Sequence, residues 1–291
     1  MNTLAESVVT GLASGSLYAL LALGLALIYQ VSGIVNFAQS ALATAGAYAV
    51  WSLVNTAGLP FWLALALGLC AIFALAAVVQ GWGLRRLRHA PPASTVVVTL
   101  GLLIVAEGAL GTIWGYGNRV LFLPVSPQPL ALGPVILSRL DLVTIVTALV
   151  LITGFFGFLR WTTAGMALRA VSQSPQGARL VGVRVERVRL VAWGLSAVLS
   201  AVAGVLIAGG ALLSPTMADT YLLSAFAGAV IGGLESLPGA AAGALLIGVA
   251  QNLVGGYIST QWRDGIVLVG LLAVLLIRPS GLFGPTAQRR V

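Results

Sequence analysis

The sequence has no lysine, one histidine, one cysteine and only seven acidic residues in 291 positions. Each shortage excludes a class of chemistry. A GxxxxGK[ST] phosphate loop needs the lysine that reaches the terminal phosphates, so ATP hydrolysis, where the system uses it, belongs to another chain. His89 sits beside Arg88 and near Pro91 in a loop, and a Ser-His-Asp triad or an HExxH zinc site would have to be built on it. No catalytic residue, no metal site and no cofactor of the chain's own is expected. Cys70 is alone inside an apolar run, where it reads as an inert packing residue, and it offers neither a disulfide framework nor a metal cluster. Charge of either sign is scarce too, at 8% of residues, which excludes a soluble globular domain as the main body.

In place of charge there is oil. Hydrophobic residues make up 59% of the chain and the mean hydropathy is +1.05, the composition of a polytopic all-α membrane protein. The net charge of +8 is of the sign that nucleic acid attracts, but its distribution argues for a bilayer. Twelve of the fifteen basic residues fall in three groups: Arg85, Arg86 and Arg88; the six from Arg160 to Arg189; and Arg278, Arg289 and Arg290. Such clustering is the positive-inside bias of a membrane protein, so the lipid bilayer is an expected partner and nucleic acid is not. The N-terminus lacks the basic start and small-residue cleavage site of a signal peptide, so the first apolar run is expected to stay in the mature protein.

Roughly 20 apolar residues are needed to cross about 30 Å of hydrocarbon. That criterion places spans at Val8–Tyr29, Phe61–Leu84, Thr95–Trp114, Leu142–Leu159, Leu190–Leu213 and Ala240–Ile258, with shorter ones at Ala41–Leu53, Leu222–Leu234 and Gly265–Ile277. Ser32–Ser40 is a soft break between the first two, and Gly115–Leu140, with four prolines, is an extramembrane loop that could hold a small hairpin. If Leu222–Ile258 were one crossing, the C-terminal arginines would lie opposite the other clusters, against the charge bias. A turn at Glu235–Gly239 resolves the conflict. The expected architecture is one transmembrane domain over 1–291, a bundle of about eight to nine helices with its C-terminus cytoplasmic and its N-terminus outside.

The polar interval 162–188 interrupts the oil. Ser174-Pro175 is a helix-start signal and Gly182 a stop, predicting a short helix over Pro175–Val181 of about 10 Å. Arg169 and Arg179 flank it, while Ala170, Val171, Ala178, Leu180 and Val181 supply an apolar side. On residue type alone two readings are open: a knob that docks in another protein's groove, or an amphipathic loop lying on anionic lipid heads. Within the oil, Glu107 is a costly charge that should face the bundle interior or an aqueous path. Asn36, Gln39, Gln251 and Asn252 are its neutral counterparts, suited either to interhelical hydrogen bonds or to lining a path. Small-xxx-small glycine pairs at Gly11/Gly15, Gly111/Gly115, Gly228/Gly232 and Gly239/Gly243 read as close helix packing.

Four ordered blocks carry a resemblance: GLASGSLYALLALGLALIYQVSGIVNFAQ, TAGMALRAVSQSPQGARLVGVRVERV, AFAGAVIGGLESLPGAAAGALLIG and YISTQWRDGIVLVGLLAVLLIRPSGLFG. Through them the chain resembles permeases of the high-affinity branched-chain amino acid ABC importers, specifically the H-type subunit. The resemblance implies a permease in the bacterial cytoplasmic membrane. It would work with a second, different permease, two cytoplasmic ATP-binding subunits that hold ATP and Mg, and a substrate-binding protein. It also implies that 162–188 is the coupling segment, with Arg169, Ala170, Ser174, Pro175, Ala178, Arg179, Leu180 and Gly182 at the contact, and that Asn36, Phe37, Gln39, Glu107, Gln251 and Asn252 line or support the path. Two departures stand out. Asn36-Phe37-Ala38-Gln39-Ser40 replaces the NFAHG of many relatives, which bears on the substrate; Gln176 follows the loop proline where an acidic residue is common, which bears on the matching ATPase. Same-family transport of urea, short amides or aromatic and carboxylic acids, and proton-coupled secondary transport using Glu107, are the rival expectations.

Overall fold

The computed structural model describes residues 4–83, 91–126, 128–132 and 135–284. Arg85, Arg86, Arg88, His89, Pro127, Pro134, Arg289 and Arg290 lie outside the described residues. In chain order the helices are α1 (Leu4–Ser32), α2 (Gln39–Asn55), α3 (Phe61–Val78, prolonged by a π-turn to Gly83), α4 (Pro92–Trp114), α5 (Arg139–Trp161), α6 (Thr163–Gln173), α7 (Pro175–Leu180), α8 (Val185–Gly210), α9 (Asp219–Gly232), α10 (Leu237–Tyr257) and α11 (Arg263–Ile277). Among the described residues seven helices are long and apolar enough to cross a membrane: α1, α3, α4, α5, α8, α10 and α11, the last counted from Thr260. With α9 (14 residues), a shorter apolar helix, and α2 (17 residues), which is more mixed in composition, the set is roughly that of the expected spans. The extramembrane loop holds a small antiparallel hairpin, β1 (Leu130–Leu132) and β2 (Val135–Leu137), with Leu130 opposite Leu137.

The chain folds as two compact units, one of Leu27–Leu123 with Val150–Asp219, the other of Met1–Ala26, Pro124–Leu149 and Thr220–Val291. In the first, α1 stops because Gly33 takes φ +71°, a conformation costly for any side chain, and its N–H returns to the Tyr29 carbonyl at 2.7 Å. Asn36 Oδ1 then accepts the Ala38 N–H at 3.2 Å, turning the chain into α2. Helices α2, α3 and α8 pack through small residues. A Cβ on Gly204 would fall on the Ala43 carbonyl, one on Gly46 would overlap Ala201, and Gly68 gives way to Val50. In lipid, where burial supplies no driving force between helices, such close backbone approach is what holds them. Helices α3 and α4 turn Leu63, Leu67, Ile104 and Ile113 outward, and Cys70 lies exposed among them. The expected packing role of Cys70 is therefore corrected: its neighbours on that face point away from the core.

The loop after α4 is pinned in this unit. Arg119 exchanges both backbone hydrogen bonds with Leu213, at 3.0 and 2.9 Å. Its guanidinium lies 4.3 Å from the centre of the Trp51 ring and donates to the Trp114 carbonyl. Trp114 stacks on Tyr48 with ring centroids 5.2 Å apart.

In the second unit Gly11 and Gly15 of α1 meet the backbone of α10 at Gly248, and Gly228 and Gly232 of α9 meet Gly239, Gly243 and Ala244 of α10. Three of the four glycine pairs thus act as packing surfaces. The fourth differs, since Gly115 ends α4 at φ +82° and Gly111 accommodates the Tyr116 ring. Helices α9 and α10 are separate, as the charge bias required. Gly233 at φ +104° ends α9, Glu235 is exposed in the turn, and Ser236 caps α10 by accepting the Gly239 N–H at 3.1 Å. The segment after α11 returns to finish α9: the N–H groups of Leu282 and Phe283 donate to the Ile231 and Gly232 carbonyls at 2.8 and 3.1 Å.

Candidate functional site

The polar interval is more structured than its sequence suggested. Thr162 accepts the Gly165 N–H at 3.0 Å and starts α6, a helix the composition had concealed. Gly165 lies against the backbone of Phe158 and Leu159, so α6 leaves α5 through a corner that only glycine can occupy. Gly165, Leu168 and Val171 face inward while Met166 and Arg169 face out, an amphipathic pattern too short to stand apart from its polar surroundings.

Helix α7 follows with both predicted signals in place. Ser174 Oγ accepts the Gly177 N–H at 3.0 Å, and Pro175 fills the first helical position without wasting a donor. The end comes one residue earlier than expected, because Val181 leaves helical geometry and Gly182 at φ +83° reverses the chain. The Val183 N–H then donates to the Ala178 carbonyl at 2.9 Å and the Gly182 N–H to that of Arg179 at 3.0 Å. The predicted apolar side is divided between two faces. Ala178 and Val171 are buried within the loop, whereas Leu180 is 89% exposed and Val181 77% exposed, next to the exposed Arg179. Of the expected contact residues, Arg169, Ser174, Arg179, Leu180 and Gly182 are exposed, Ala170 and Pro175 partly so, and Ala178 is covered. Helix α8 begins at Val185, so Arg187 and Arg189 belong to its first turns, with Glu186 and Arg189 paired at 3.7 Å. A capped helix of about 9 Å with arginines around it and two bare aliphatic side chains at its tip has the form of a plug.

The polar residues at membrane depth separate into distinct arrangements. Gln39 donates through Nε2 to Ser196 Oγ at 2.8 Å and Ser200 Oγ at 2.5 Å, while its Oε1 accepts from Asn36 Nδ2 at 3.2 Å and from Ser196 Oγ at 3.1 Å. Asn36 and Gln39 thus share one buried network that ties α2 to α8, and Phe37 beside them is half-buried. Glu107 is half-buried on α4, where its carboxyl group is hydrogen-bonded with that of Asp219 and its Oε1 is without a partner. In the other unit Gln251 Nε2 donates to Ser224 Oγ at 3.2 Å. Asn252 donates to Ser14 Oγ at 3.3 Å and accepts from Arg263 Nη2 at 2.6 Å. The serine partners were missed in the sequence, although Ser196 and Ser200, four apart in an apolar helix, carry the spacing of a shared face. Arg263 stands next to Asp264 in the sequence and gave no sign of this contact.

A family profile described as branched-chain amino acid transport system, permease component, matches residues 7–276. The chain belongs to that family. The permease is 30% identical over 288 residues to the probable branched-chain amino acid transport permease protein LivH of Methanocaldococcus jannaschii, covering 92% of this chain and 89% of the relative. It is 28% identical over 306 residues to the high-affinity branched-chain amino acid transport system permease protein LivH of Salmonella typhimurium, covering 98% and 97%. Similarity extends in part to the autoinducer 2 import system permease protein LsrC of Escherichia coli, 33% identical over 192 residues, covering 62% of this chain and 54% of LsrC. The protein is thus a multi-pass membrane permease component of an ABC transporter family. Among its described residues no group of three or more His, Cys, Asp or Glu is placed to hold a metal.

Proposed function

We propose that the permease imports branched-chain or related amino acids, released to it by a binding protein outside, and is driven by ATP hydrolysis in two cytoplasmic subunits while a second, different permease completes the channel. In this reading the chain forms one transmembrane domain with its C-terminus cytoplasmic and its N-terminus outside, and α7 is the lever. The observation that carries the coupling role is the exposure of Leu180 and Val181 beside Arg179 on a short helix capped at both ends. Aliphatic side chains of that size are left bare where a partner covers them, and the rigid caps let a push on α7 reach α6 and α8. The lipid-surface alternative is less favoured, because Leu168 and Val171 of α6, which would have to insert, are turned inward instead. Amino acid cargo is supported by the two LivH relatives, both named for branched-chain amino acid transport. Similarity also reaches LsrC, a permease protein of an autoinducer 2 import system, so urea, short amides or aromatic and carboxylic acids stand as the rival cargoes that the ligand of the binding protein distinguishes.

The test is reconstitution of the co-expressed complex in proteoliposomes with its binding protein and labelled leucine. ATP-dependent uptake that is lost in Leu180→Asp, with the ATPase no longer co-purifying, is the expected result. Uptake that persists without the ATPases and collapses with a protonophore would sink the proposal. The ligand that co-purifies with the binding protein identifies the cargo.

A further inference from the structure

Helix α2 presents three different faces. One, with Ala43 and Gly46, is closed against α8 at near-contact distance. A second, with Ala41, Leu42, Ala45 and Ala49, borders an apolar cavity of about 400 Å³ shared with α3 and α4, lined by residues such as Ile72 and Leu102. That cavity is almost wholly apolar. The third carries Ser40, Thr44 and Tyr48, spaced four residues apart and therefore stacked along one side of the helix over about 12 Å. Their relative exposures are 0%, 1% and 0%, and the oxygen of each hydroxyl has no hydrogen-bond partner among the described residues. Gln39, the adjacent polar residue, is on the α8 side and is fully engaged there. Orphaned buried hydroxyls are rare because each forfeits its hydration without return. The next residue in register, Ser52, accepts from Trp114 Nε1 at 2.5 Å, whereas the three without such a bond mark a place where something absent from the folded chain completes the bonding.

We infer that Ser40, Thr44 and Tyr48 form a hydroxyl ladder that hydrogen-bonds the solute in transit, passing its polar ends from one rung to the next. A hydroxyl both donates and accepts, so one set of rungs serves the ammonium and the carboxylate of a small zwitterion alike. Neutral rungs also bind weakly enough for the solute to leave. The ladder presupposes the importer function proposed above, and it assigns the solute contacts to residues beyond those the sequence had singled out.

The experiment uses the whole transporter with its co-expressed partners. In a Cys70→Ser background, single substitutions Ser40→Cys, Thr44→Cys and Tyr48→Cys are treated with methanethiosulfonate ethylammonium, a small charged thiol reagent, alongside Leu42→Cys and Ala45→Cys on the cavity face. Modification at least tenfold faster at 40, 44 and 48 than at 42 and 45 is expected; equal rates, or no reaction at the three, overturn the ladder. Ser40→Ala, Thr44→Val and Tyr48→Phe then remove each hydroxyl at nearly constant shape. Each is expected to lower leucine uptake about fivefold, the factor carried by one net hydrogen bond, with the melting temperature unchanged or higher because no internal bond is lost. Unchanged uptake, or a lowered melting temperature, overturns the solute contact even where labelling succeeds. If the unsubstituted complex shows no ATP-driven leucine uptake, the amino acid reading fails on its own, and the labelling pattern, which needs no cargo, still decides the ladder.

Discussion

The network around Gln39 and the tip of α7 invert each other. At Gln39 the chain hides amide and hydroxyl groups inside an apolar bundle and gives each a partner. At α7 it holds leucine and valine out where none of the described residues covers them. A satisfied buried group reports architecture, because its bonds are spent on fixing one helix against another. An uncovered apolar group on a rigid mount reports a missing partner. The same criterion separates Gln39 from its neighbours Ser40, Thr44 and Tyr48, which are equally buried but unbonded.

The contrast can be tested by substitution, beginning with its largest effect. Gly204→Leu should abolish the folded protein, since even a Cβ there meets the Ala43 carbonyl and α8 cannot retreat without opening the α2 contact; loss of the monodisperse peak in detergent chromatography is the measure. Leu180→Asp should do the reverse. The Leu180 side chain is 89% exposed, and such a substitution costs within about 0.5 kcal/mol of stability, so the melting temperature should hold while ATPase co-purification and uptake fall more than tenfold. Gln39→Ala should lie between them, costing about 1–3 kcal/mol because Ser196 and Ser200 lose a buried partner, and a lowered melting temperature with ATPase binding intact would mark it as architectural. Arg119→Lys should be smallest, about 1 kcal/mol or less, because a lysine keeps the charge over Trp51 but not the planar stacking. A coupling defect from Gln39→Ala, or a stability defect from Leu180→Asp, would erase the distinction between the two regions.

Much of the fold could be read from the chain. Spans in an apolar sequence are bounded by their interruptions, and the break at Ser32–Ser40 and the start at Ser174-Pro175 act as expected, each for a local reason, whereas Gly115 ends α4 instead of packing a helix pair. Facing could not be read, because helices such as α1 and α3 are apolar all round and carry no periodic signal. That is why Ala178 and Leu180, two residues apart on a six-residue helix, were assigned together although one is covered and the other bare. The role of Gln39 was equally inaccessible, since its partners lie 157 and 161 positions away. Separating α9 from α10 needed a global constraint, the sidedness of arginine, where hydropathy alone was ambiguous.

The return of Leu282 and Phe283 to the end of α9 has a consequence for how the protein is made. Until the ribosome has passed Phe283, the Ile231 and Gly232 carbonyls have lost the donors that the finished chain supplies. A product terminated at Ile277 would hold every helix named here yet present an unsealed helix terminus, so a proofreading protease has a mark by which to recognise incomplete synthesis. Comparing the cellular half-lives of chains ending at Ile277 and at Gly284 would expose it.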